Sequence, residues 1–379
     1  MMLKISTEDQ QWVDTVWEKI KIKMNFVSKK TAGKIPYTTV NGTYDDKFLE
    51  DPAWWTNGFW SGILWLMYSE TGNEQYKTLA EEVETRMDEV LYGLDGSFED
   101  LYHDVGFMWM LLSVANYRLT CNPKSRVRGL IAANHLAARF NINGGFITAW
   151  NSKEREGWSI IDTLMNLPLL YWATEETGYT RYRQIAQAHA DKTAENVVRD
   201  DGSVTHIVEY DCEKGEVIKT LGGQGYGEGS SWSRGQSWAI YGFVLSYIHT
   251  LNQSYLDIAK RVAHYFIACI SDTYIPRIDF RSPEEPVYID TTAGAIAACG
   301  MIEISKHVPE HEKNLYLRSA INILKALEKE QCDWTVKKDS ILQNGSESYS
   351  SGRHKSIIYG DYYFIEAILK LKGSGISFW

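Results

Sequence analysis

Two aspartates in unusual company are the first residues in this sequence that ask for a chemical explanation. Asp162 lies in GWSIIDTLMNL, straight after two isoleucines and ahead of Leu-Met, where a helix-capping role is weak. A carboxyl in apolar surroundings has its charged form disfavoured by desolvation, so Asp162 is expected to have a raised pKa, the property a general acid needs. Asp104 follows His103 and precedes Gly106 in HDVGFMWM, with no polar side chain again until Ser113. Arg234, Gln236 and Trp238 crowd into SSWSRGQSWAIYGF. A cation opening so apolar a run needs an anion, whether a substrate's or a structural aspartate's, because an unpaired buried charge is strongly destabilising. His206, in SVTHIVEYD, reads on its own as a surface histidine. Asp290 (DTTAG) and Asp361 (GDYYF) also stand before apolar runs, and helix N-capping accounts for both.

Other chemistries are poorly served. GGQGYGEG has no G-x-G-x-x-G and no βαβ context, so it reads as a flexible cleft rim and not as a phosphate loop. His307 and His311 are four apart, but Pro309 breaks the helix that a metal pair would need. No G-x-S-x-G elbow occurs. No metal, nucleotide or other cofactor is expected. The formal net charge of −10 speaks against nucleic acid and against an anionic membrane surface, so an anionic substrate would need a locally positive site. Nothing approaches the ~18 apolar residues of a membrane span, and the first twenty residues lack the apolar core of a signal peptide. Five scattered cysteines without a CxxC pair read as reduced thiols in the cytoplasm. With 14 Trp and 23 Tyr, the chain is rich in side chains that offer sugars a flat apolar face and a polar edge.

These residues must be held by helices, and two kinds alternate. Residues 255–270 carry one apolar stripe and one wet face, whereas 236–251 are apolar nearly all round, the mark of a helix buried on every side. Buried helices are predicted at 58–70, 105–119, 160–177, 234–251, 291–306 and 360–371. Amphipathic ones are predicted at 8–27, 73–91, 125–140, 180–199, 253–271 and 312–330, with the first pairing with the last buried helix. Self-similarity at a period of roughly 50–70 residues marks an array. Six pairs closing on themselves give an all-α fold, an (α/α)6 barrel; an open solenoid would want polar caps at both ends. Residues 203–219 alternate and turn at Glu213-Lys214-Gly215, a small β-hairpin within a loop. Long Gly- and Trp-rich linkers before the buried helices would wall a cleft over the axis. No linker reads as a boundary, so residues 1–379 are expected to form a single catalytic domain.

Taken in order, WTNGFWSG, HDVGFMW, IIDTLMNL, SWSRGQSWAIYGF and DTTAGAIAACGM resemble the unsaturated glucuronyl hydrolases, glycoside hydrolase family 88, from about residue 50 to residue 370. The resemblance implies a hydrolase that removes a 4,5-unsaturated uronic acid from lyase-generated oligosaccharides, with unsaturated glycosaminoglycan disaccharides of the chondroitin or hyaluronan type as substrates. It implies Asp162 as proton donor and Asp104 as second essential carboxylate. His206, Gln224, Arg234 and Trp238 match the subsite of the unsaturated sugar, with His103 adjoining. Trp54 or Trp55 and Asn57 belong to the same wall. Tyr349 and the stretch Ser350-Ser351-Gly352-Arg353-His354-Lys355 resemble a segment of members that accept sulfated disaccharides, with Arg353 where a serine would stand; Ser350, Arg353 and Lys355 would be its donors. Unsaturated rhamnogalacturonyl hydrolases share much of this layout. An inverting glycosidase of saturated sugars would need an acid and a base flanking the anomeric carbon, and a non-catalytic sugar binder would have no use for an apolar Asp162. A monomer or a homodimer is equally compatible with the sequence.

Overall fold

The computed structural model describes residues 5–94 and 100–379. Twelve main helices alternate between two rings. The inner ring comprises Phe59–Thr71, residues 105–120, Leu167–Thr177, Ser233–Thr250, Thr291–His307 and Ile358–Lys372. The outer ring comprises Thr7–Lys30, Glu74–Arg86, Pro123–Ala138, Thr180–Asn196, Gln253–Cys269 and Glu310–Gln331. Each inner helix packs on the next, and Ile358–Lys372 packs back on Phe59–Thr71, so the ring closes; Thr7–Lys30 lies against Ile358–Lys372. The fold is an (α/α)6 barrel.

The two ends of the barrel differ because the sequence connects the helices differently at each. At one end the chain passes from inner to outer helix in two residues. Gly72, Cys121, Gly178 and Leu251 adopt left-handed backbone and return their N–H to Tyr68, Tyr117, Thr174 and Tyr247, which satisfies a carbonyl the helix end would leave bare. Asn73, Asn122 and Asn252 follow directly and cap the outer helices, each accepting from the amide two residues on. At the opposite end every outer-to-inner connection is long, and those loops carry the chemistry-bearing motifs.

One predicted helix start moves by seven residues. The helix expected over 160–177 begins only at Leu167, where Pro168 sits in the first turn, a position proline favours. Trp158–Ile160 instead form a strand and 161–165 a 3₁₀ turn, as suits β-branched residues. The predicted hairpin is present as Ile207–Tyr210 and Val217–Leu221, and Trp158–Ile160 joins it as a third antiparallel strand. Within the barrel, the axis is packed with rings: Trp238 lies against Phe107 and Tyr363, and Trp379 reaches in from the short-turn end to stack on Tyr363 and meet Phe107 edge-on. No described helix is long and apolar enough to cross a membrane.

Candidate active site

The three-stranded sheet is what brings the chemistry together. Ile160 pairs with Ile207, and the Ile161 amide donates to the His206 carbonyl at 3.1 Å. His206 is part of that bond and Asp162 follows it directly, with Asp162 Oδ2 and His206 Nε2 3.4 Å apart. The Gln224 amide donates to His206 Nδ1 at 2.9 Å, so the ring proton lies on Nε2, facing the carboxylate. Asp104, at the head of the inner helix over 105–120, makes no side-chain cap bond. It faces His103 Nε2 at 3.4 Å, and the other nitrogen of that ring pairs with Thr163 at 2.8 Å. Asn166 ties the halves together. Its amide nitrogen donates to Asp104 Oδ1 (3.4 Å) and to the Asp162 carbonyl (3.3 Å), while its oxygen accepts from the Phe107 amide (2.7 Å).

The electrostatics reverse one expectation. Burial pushes the Asp104 carboxyl well above the usual carboxylate range, and the neighbouring Asp162 charge adds to it. Burial acts on Asp162 in the same direction, but the His206 N–H and the Arg234 charge help to outweigh it, leaving Asp162 below its ordinary value. Asp162 therefore does not hold the proton in the resting site, contrary to the reading from its isoleucine flank. Sequence neighbours fill only one side of a residue; the other side here is His206. Burial also lowers His103 to about 3. His103 Nε2, His206 Nε2 and Asp162 Oδ2 are buried without a well-formed hydrogen bond, an uncommon state for polar groups.

Beyond Gln224 the cleft widens into a cavity of about 380 Å³ lined by Trp54, Trp55, Gln224, Arg234, Glu347 and Ser350 among others. Gln224 also donates from Nε2 to the Glu347 carbonyl at 2.8 Å, and its own carbonyl accepts the Tyr349 amide at 2.8 Å. Of the expected site residues, Asp104, Asp162, His103, His206, Gln224, Trp54, Trp55 and Ser350 thus gather on this face. Others have different work. Arg234 gives Nη1 to Asp290 Oδ2 at 2.6 Å and to the Ser346 carbonyl, and Nη2 to the Glu347 carbonyl at 2.6 Å. The anion expected for it is Asp290, which also caps its helix through Thr292. Trp238 is fully buried beneath Phe107, so it supports the floor and does not face a sugar. Asn57 is fully buried too and ties its own loop to the Asp51 and Pro52 carbonyls. Tyr349 packs on Tyr226 and Tyr288, Arg353 lies over Tyr288 at 4.0 Å, and Lys355 pairs with Glu347 at 3.0 Å. Asp361 is no cap: it accepts from the Ile341 and Leu342 amides and from Tyr44. The sequence reading missed Asn166, Thr163 and Glu347. For Asn166 a signal existed, since MNLP places it at a helix start.

Gly106 makes the carboxylate scaffold possible. A Cβ there would fall on the Asn166 backbone, 2.5 Å from its carbonyl oxygen. Gly106→Ala is expected to move Asn166 off Asp104 and lower kcat about a hundredfold, the scale of a misplaced catalytic group, with KM changing far less. Steady-state kinetics on folded protein would check this.

A closed six-hairpin barrel with two buried acids at its loop end is an architecture that suits a glycoside hydrolase of the (α/α)6 type. The model of Glycosyl Hydrolase Family 88 matches residues 21–375, and the chain belongs to that family. It is 37% identical over 365 residues to the unsaturated glucuronyl hydrolase of Bacillus sp. (strain GL1), covering 93% of this chain and 94% of that protein. It is 33% identical over 389 residues to the unsaturated chondroitin disaccharide hydrolase of Streptococcus pyogenes serotype M1, covering 99% and 94%. The crystal structure of the Bacillus sp. GL1 enzyme superposes with a TM-score of 0.87 at 33% identity, over 94% of this chain and 99% of that one. A mutant of the Streptococcus agalactiae enzyme complexed with dGlcA-GalNAc6S superposes with a TM-score of 0.82 at 28% identity, over 100% and 99%.

Proposed function

We propose that this chain releases the terminal 4,5-unsaturated uronic acid from short oligosaccharides by adding water across the double bond, as the activities named for its relatives imply. The observation that carries the mechanism is the carboxylate pair, in which Asp104 is pushed up and Asp162 down. Such a pair shares one proton between two sites. At rest the proton is on Asp104. The C4–C5 alkene beside the ring oxygen is a vinyl ether, and its sugar carries a carboxylate. Bringing that anion up beside Asp162 disfavours a second charge there, so the proton passes to Asp162, which delivers it to C4.

The alkene's π electrons form the new C4–H bond, and C5 becomes an oxocarbenium centre sharing its charge with the ring oxygen. Water attacks C5, and the carboxylate just emptied takes the water's proton. The product is a hemiketal at C5. It opens to a ketone, leaving a hemiacetal at C1 that expels the next sugar as an alcohol. One water is consumed and the acid is regenerated. His206 presents Nε2–H to Asp162 at 3.4 Å, and Trp54 and Trp55 offer the aromatic wall a sugar ring needs. Five unpaired cysteines support a cytoplasmic site of action, fed by imported disaccharide.

The test is to mix the purified protein with lyase-generated chondroitin, hyaluronan and pectin fragments and follow the ultraviolet absorbance of the conjugated double bond. The expected result is loss of absorbance on the glycosaminoglycan disaccharides. Stable absorbance on every fragment with folded protein would overturn the proposal.

A further inference from the structure

The glycine-rich loop over 222–231, which the sequence alone marks as a flexible rim, is pinned from behind by one buried carboxylate. Asp279 is wholly shielded from solvent. Its Oδ2 accepts from the Tyr226 amide at 3.0 Å, and its Oδ1 from the Ser231 and Arg281 amides at 3.0 and 2.8 Å. A charge taken out of water must be well hydrogen-bonded to persist, so this carboxylate ties both arms of the loop to its own strand. Glycine lets the parts approach this closely. A Cβ on Gly225 would fall 2.6 Å from Asp279 Oδ2, and one on Gly223, at φ +56°, would fall on His206 Nδ1. Between those two glycines stands Gln224, whose amide donates to that same nitrogen. On the cleft side the Gln224 carbonyl accepts the Tyr349 amide, so the loop is held in front by Tyr349 and at its back by Asp279.

Asp279 meets His206 from two directions. Its backbone bridges to Trp232, whose ring lies against the His206 ring with centroids 4.4 Å apart. Its side chain fixes the loop that presents the Gln224 amide. We infer that Asp279 is a positioning residue: by locking the 222–231 loop it keeps a donor on His206 Nδ1, so that His206 stays neutral with its one proton on Nε2, turned to Asp162. The consequence for turnover rests on the proposed reaction; the state of the ring does not. An N–H aimed at Nδ1 forbids a proton there, because two donors cannot face each other. The charged or titratable groups near the ring are Asp162 at 3.4 Å, His103 within electrostatic reach, and Arg234 across the Trp232 ring. Asp162 favours a positive neighbour. Without the Gln224 amide, Nδ1 would be open to a second proton, and a cationic His206 would bind the Asp162 charge that must change hands during the reaction.

The experiment places isotope-labelled histidine in the full chain and reads the His206 ring nitrogens by NMR at neutral pH, assigned by comparison with His206→Asn. The wild type is expected to show Nδ1 bare and the proton on Nε2. Asp279→Asn keeps one acceptor oxygen but turns its NH2 on the Tyr226 amide, donor against donor, which frees that arm of the loop. The Nδ1 signal is then expected to move toward the protonated position. On unsaturated disaccharide, kcat is expected to fall about tenfold to a hundredfold, the scale of a displaced catalytic group, with KM changing far less. Gly225→Ala pushes the loop off Asp279 while leaving the buried carboxylate and its strand in place, and decides the matter should the Asn variant fail to fold. A change in melting temperature alone would mark a merely structural role: a folded variant of either kind whose His206 nitrogens read as in wild type overturns the inference, as does a wild type with its proton on Nδ1. A wild type with the expected ring state that cleaves no unsaturated disaccharide overturns the reaction and supports the locking of His206.

Discussion

Asp162→Asn is expected to abolish turnover almost completely, with kcat down by about 10³–10⁴-fold, the upper range for loss of a general acid–base group. Asparagine is close to isosteric, and neither Asp162 carboxylate oxygen is needed to hold the fold: Oδ2 is without a well-formed hydrogen bond, and Asn166 reaches the residue through its main-chain carbonyl. The thermal midpoint should therefore stay near wild type and KM should change little, so the loss falls on kcat. The measurement is absorbance decay under saturating disaccharide, beside a melting curve. Near-normal turnover would remove Asp162 from the chemistry and leave Asp104 as the only candidate donor.

The barrel was legible because its two helix types write different patterns. Helices such as 233–250 have no polar face, and helices such as 253–269 have a clear one, so inner and outer could be told apart before any contact was known. The tight turns were only partly marked: Gly-Asn at 72–73 carries the local signal of a left-handed end joined to a cap, whereas Leu-Asn at 251–252 takes the same shape without a glycine. The strand at 158–160 was not legible as such. Its partner lies about fifty residues away, and three residues of Trp-Ser-Ile do not distinguish a strand from the start of a helix.

The acids of the site were visible as types out of place, but their protonation was not. Asp162 has apolar sequence neighbours, and the group that sets its charge state, His206, arrives through a strand pairing. Arg234 posed the opposite problem. Its need for an anion was clear from sequence, and two anions could satisfy it; only the fold shows that Asp290, 56 residues on, does so at 2.6 Å. Glu347 had no sequence signal, because nothing in GSESYSSG tells that its carboxylate is taken by Tyr37 and Lys355. Side chains that act through local chain geometry can be read early; those whose partners arrive by tertiary contact cannot.

Asp104→Asn separates the two carboxylates by pH. With one shared proton, kcat/KM should fall at low pH as Asp162 takes up a second proton and the base is lost. It should fall at high pH as the pair gives up its only proton, a step set by the raised carboxyl of Asp104. Asparagine at 104 cannot titrate, so activity is expected to drop about a hundredfold or more, and what remains should have its alkaline limb moved to lower pH, because Asp162, held below its ordinary value, must then carry the proton itself. Stability supplies a second readout with a fixed sign. A carboxyl raised in the folded state binds its proton more tightly there than in the unfolded chain, so folding is favoured below the ordinary carboxylate pKa. That advantage is lost as pH rises toward the folded value. Wild-type stability should therefore decline over this window relative to Asp104→Asn, whose unfolding free energy carries no such term. Urea titrations of both proteins across the window, set beside the two pH–rate profiles, test the assignment: an alkaline limb that stays at its wild-type position in the variant would place the shared proton on some group other than Asp104.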